Sequence, residues 1–108
     1  MYKLLCLSKL PNTKHKYQAD LFNTETKRVK VVKFGASGMN DYTIYNKEEG
    51  KKIADEHKRL YLARHRKRED WSKNGIDTPG FWSRWLLWNK PTLEKSLEYI
   101  LDKYKLIV

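Results

Sequence analysis

The chain has 108 residues, enough for one domain with a modest core. Its 23 Lys and Arg outnumber 13 Asp and Glu, a formal charge of +10 that favours anionic partners: nucleic acid, an anionic membrane or an acidic protein. A single cysteine excludes an internal disulfide, and no window approaches the ~20 apolar residues of a membrane span, so the composition points to a soluble protein of a reducing compartment.

Residues 2–10 read as a Leu-rich strand in which Cys6 is expected to be buried and inert. This stretch lacks the longer apolar run and the cleavage site of a signal peptide. Pro11-Asn12-Thr13 is a turn, and residues 17–22 alternate loosely as a second strand. Asn23-Thr24-Glu25-Thr26 suits a hairpin connection. In the third strand Lys27, Val29, Val31 and Lys33 alternate with Arg28, Lys30, Val32 and Phe34. Residues 1–35 therefore predict a basic three-stranded antiparallel meander, which Gly35-Ala36-Ser37-Gly38 ends.

Asn40-Asp41-Tyr42-Thr43 continues as a polar loop. Asn46 then reads as an N-cap, with Glu49 completing a capping box. The segment 46–70 predicts one long charged helix, from about Lys47 to Glu69. Its stripe is Ile53, Ala54, His57, Leu60 and Tyr61, extended by Trp71, and the 100° step puts Arg64 and Arg68 on the same stripe. Residues 73–77 form a turn. Thr78 caps the next helix and Pro79 suits its first position. From Pro79 to Trp88, Phe81, Trp85 and Trp88 share one side, Trp82 and Leu86 widen it, and Leu87 lies opposite, so this helix is expected to be buried nearly all round. Thr92 caps a last helix with the stripe Leu93, Leu97, Ile100, Leu101 and Tyr104, completing the segment 78–105. Leu106-Ile107-Val108 either adds an edge strand or packs as an apolar tail. The fold class is α+β: the meander followed by three helices, the Trp-rich one central to the packing.

Two basic clusters are candidate phosphate contacts. Residues 1–35 hold eight cationic side chains against Asp20 and Glu25, and the run Arg64-His65-Arg66-Lys67-Arg68 closes the long helix. Each cluster has a plainer reading, edge lysines on a solvated sheet face or surface ion pairs such as Asp55–Arg59 and Arg66–Asp70. Lys27, Arg28, Lys30, Lys33, Arg59, Arg66 and Lys67 are the expected nucleic-acid contacts. Arg64 and Arg68, on the core-facing stripe, are expected in structural pairs (with Asp41, Asp77 or Glu94) or stacked on tryptophan. Trp82, Trp85 and Trp88 fit a core better than a base-stacking platform. His57 and His65 have no Cys or His at metal-ligand spacing, and the glycine-rich turn lacks a P-loop ending. These features predict a binding protein with no metal or cofactor rather than an enzyme.

Lys33-Phe34-Gly35, Asp41-Tyr42, Tyr61-Leu62-Ala63-Arg64-His65, Trp71 and the run from Gly75 through Gly80-Phe81-Trp82-Ser83-Arg84-Trp85-Leu86-Leu87-Trp88-Asn89-Lys90-Pro91-Thr92 resemble a family of small basic proteins encoded by giant (nucleocytoplasmic large) DNA viruses. The resemblance covers about residues 30–100 and brings no catalytic residues with it. It implies a viral setting, in the virion interior or in the cytoplasm or nucleus of the infected cell. The resulting expectation is sequence-tolerant binding to DNA, double-stranded by preference, in genome packaging or condensation, with self-association raising avidity. The alternative is a capsid or internal scaffold protein that docks on acidic viral proteins. Neither reading involves a membrane.

Overall fold

Strand pairing begins with an alternation of buried and exposed side chains that the computed structural model, which describes residues 2–106, resolves into an antiparallel sheet of order β1-β2-β3. The strands are β1 (Tyr2–Lys9), β2 (His15–Asn23) and β3 (Arg28–Ala36). Paired residues share a face of the sheet. Leu4, Leu21, Ala19, Val32 and Phe34 therefore point together into the core, where each is at most 4% exposed. The other face, with Cys6, Asp20, Val29, Val31 and Lys33, is open, and Val29 and Val31 remain about half exposed at 55% and 48%. Cys6 is thus exposed rather than buried, because a register shift between Leu4 and Cys6 turns it to the open face.

Four helices follow instead of three. The expected capping box at Asn46 and Glu49 does not form. Asp41 is the N-cap of α1 (Tyr42–Glu49), its carboxylate accepting the Ile44 N–H at 3.1 Å, while Asn46 lies inside the helix and donates to the Tyr42 carbonyl. Gly50 divides α1 from α2 (Lys51–His65) because its φ of +88° belongs to no right-handed helix. The expected pairs Asp55–Arg59 and Arg66–Asp70 are replaced by closer partners: Asp55 meets Lys51 and the Tyr42 hydroxyl, Arg59 meets Glu56, and Asp70 accepts from Ser72.

Thr78 caps α3 (Pro79–Trp82) as the sequence implies, with Pro79 in its first turn. The helix then widens into a π turn over Ser83–Leu87, closed by the Trp88 N–H on the Ser83 carbonyl at 3.1 Å. The wider turn places both Leu86 and Leu87 in the core, although an ordinary wheel sets them apart. Trp82 and Phe81 are fully buried, and the Trp82 indole donates to the Ile76 carbonyl at 2.7 Å. Trp85 and Trp88 are only partly buried at the edge of this core. Capped by Thr92, α4 (Leu93–Lys103) turns Ile100 inward, and Tyr104 and Leu106 complete the packing. Of the apolar tail, residues 107 and 108 lie outside the described residues.

Candidate nucleic-acid interface

The end of β3 approaches the Trp-rich helix very closely at Gly35. Its φ is +78°, and a Cβ there would stand 2.8 Å from Leu87 Cδ1. Two adjoining concavities open around this contact, sharing Gly35, Ala36 and Pro79. One, of about 310 Å³, is walled by Tyr61, Arg64, His65 and Glu69 from the end of α2 and by Gly80, Ser83 and Trp88 from the Trp-rich segment. The other is lined by Lys14, His15 and Lys33. The loop before β2, the end of β3 and the end of α2 thus deliver their cations to one place.

Acidic groups in this cleft are few. Asp41 and Lys16 form an ion pair at 2.8 Å, both largely buried, which ties β2 to α1 and removes each other's charge from the cleft. Glu69 lies 3.9 Å from His65 Nδ1, and its carboxylate occupies the space where a side chain on Gly80 would begin. Among the described residues Lys14, Lys33 and Arg64 form no ion pair. Burial, then Arg64 and Arg68, hold the His65 pKa below its ordinary value, against an opposing pull from Glu69. The ring is therefore largely neutral at pH 7.

The seven expected phosphate contacts do not form one surface. Lys33 lines the cleft. Lys30 faces the helices and pairs with Asp77 at 3.5 Å. Lys27 and Arg28 sit in and beside the β2–β3 turn, about 26 Å along the strand from Ala36 at 3.3 Å per residue. Arg59 is engaged by Glu56. Arg66 and Lys67 are exposed and directly follow His65 in the chain.

Arg64 and Arg68 are corrected outright as structural residues. Both are exposed, because α2 stops at His65 and the wheel that placed them on the core stripe does not continue to 69. Arg84 occupies the position among the tryptophans instead. Its guanidinium lies over the Trp85 ring at 4.2 Å and the Trp71 ring at 5.7 Å, and it donates to the Trp88 carbonyl at 2.6 Å. Lys14, His15 and Lys16 escaped notice because three scattered residues in a turn carry no motif. Their pairing partner, Gly35-Ala36 on β3, was the only available signal.

No family model, curated protein or solved structure matches the chain.

Proposed function

We propose that this protein binds nucleic acid through its phosphate backbone, without catalysis, and that Lys14, Lys33 and Arg64 make the principal contacts. The observation that carries this reading is the convergence of three elements on one cleft whose lysines and arginine, Lys16 apart, have no carboxylate partner. Unpartnered cations gathered on a concave wall attract a polyanion and release its counterions on binding. The net charge of +10 adds long-range attraction. The resemblance to small basic proteins of giant DNA viruses supports a setting in which a very large genome is packaged or handled in the infected cell.

Binding of this sequence-tolerant kind has a Kd of about 10⁻⁴–10⁻⁶ M at physiological salt. Fluorescence anisotropy with labelled DNA of unrelated sequences, at two salt concentrations, tests it. The triple variant K14A/K33A/R64A should lose most of the affinity and flatten the log K against log salt slope by about 2–3, one step per lost phosphate contact. The control K27A/R28A, at the far end of the sheet, should lose much less. Absence of binding in low salt overturns the proposal and returns the charge to the other reading, docking on acidic viral proteins. Equal losses in the two variants would move the binding surface away from the cleft.

A further inference from the structure

Five rings form one column that ends in the cleft. Tyr45 lies on His57 at 3.8 Å with planes 5° apart, and Trp88 tilts against Tyr45 at 6.2 Å. Tyr61 lies flat on Trp88 at 4.5 Å and 5°, and His65 closes the series on Tyr61 at 4.4 Å. Trp88, Tyr61 and His65 all wall the larger concavity. Tyr61 is buried, whereas the His65 side chain keeps 31% of its exposure, so the column ends on a ring with uncovered surface.

The interior of this concavity suits a base better than a phosphate. Its volume, about 310 Å³, is at the small end for ligand pockets. Apolar groups from Met39, Pro79 and Leu87 contribute to its walls. The Glu69 carboxylate within it repels phosphate oxygens but accepts N–H from a base edge, such as the amino group of adenine, cytosine or guanine. The free cations stand around this interior, with Arg64 on its wall and Lys14 and Lys33 in the adjoining concavity. A largely neutral His65 ring offers a stacking face without drawing a phosphate onto itself.

We propose that the concavity seats one unpaired nucleobase, stacked on His65 as the sixth ring of the column, while Arg64, Lys33 and Lys14 hold the flanking phosphates. This rests on the nucleic-acid reading above and shifts its preferred partner from duplex to single strand. A paired base within a duplex has both faces covered by its neighbours and cannot reach the ring. Stacking of this kind tolerates any sequence, because every base has a π-face.

The test uses the whole chain, a labelled DNA strand, the same strand as duplex, and a strand carrying one 2-aminopurine. The strand should bind more tightly than the duplex, and the 2-aminopurine emission should be quenched on binding. His65→Ala should weaken strand binding by about 5- to 100-fold and leave duplex binding unchanged, while His65→Phe, which keeps a ring, should restore the strand. Duplex binding at least as tight as strand binding overturns the proposal while leaving the phosphate-binding reading intact. So does an unquenched 2-aminopurine bound to the unaltered protein, a result that needs no folded variant. Failure to bind either form in low salt overturns both.

Discussion

Arg84 and Arg64 carry the same group in opposite circumstances. Arg84 is half-buried, sandwiched near Trp71 and Trp85 and anchored on the Trp88 carbonyl, where burial lowers its pKa. Around it Lys58 donates to the Asn89 carbonyl at 2.9 Å and covers the Tyr42 ring, and Lys103 lies over Trp85 and Tyr99. These cations close the carbonyl end of the Trp-rich segment and pack its rings, so their charge is already committed. Arg64, Lys14 and Lys33 contact neither a carboxylate nor a ring within the fold. The net charge therefore mixes two populations, and only the second is free to meet a partner.

Substitutions can break or sharpen this contrast. The largest effect is expected at the floor of the aromatic region: Trp82→Ala should cost about 3–5 kcal/mol in urea unfolding, because it removes a fully buried ring and leaves the Ile76 carbonyl unpaired. Trp85→Ala should cost less, about 2 kcal/mol, since that ring is only partly buried.

Tyr61 joins the two regions, and burial pushes its pKa up to about 12 from 10.0. The unfolded chain ionises first as pH rises. The contribution is complete below pH 10 and about 2–3 kcal/mol is lost between 10 and 12. Tyr61→Phe should flatten that part of the alkaline unfolding curve, and an unchanged slope would place the hydroxyl in water.

The direct comparison is Arg84→Met against Arg64→Ala. The first should destabilise by about 2 kcal/mol through lost ring contacts and an unpaired carbonyl. The second should change stability by less than about 0.5 kcal/mol. Equal costs in denaturant titrations would erase the distinction between the two populations.

Local signals made much of the fold legible. The 28/30/32/34 alternation identified the inward face of β3, and Thr78-Pro79 and Thr92 marked true helix starts. The long helix failed at Gly50: a plausible capping box at 46–49 outweighed one glycine and hid the better cap at Asp41, which is also held by Lys16 from a distant strand. That misreading carried Arg64 and Arg68 onto a stripe that does not exist. The cleft was less legible still. Its residues come from positions 14–16, 33–36, 61–69 and 79–88, and only strand pairing and the approach at Gly35 unite them. Runs of charge in the sequence emphasised Lys27–Lys30 instead, which the register divides between a remote turn and an ion pair with Asp77.

The π turn sets a condition on chain length as well as on residue type. Trp88 enters the ring column from the end of that turn, and its carbonyl anchors Arg84. Deleting one residue between 83 and 87 would restore ordinary helical pitch and rotate everything beyond it by about 100°, with a shift of about 1.5 Å. Trp88 would swing out from between Tyr45 and Tyr61, and the cleft would lose a wall even if every named side chain survived. A one-residue insertion would do similar damage in the opposite sense. Segment 83–87 is therefore where a frame-preserving indel should be tolerated least.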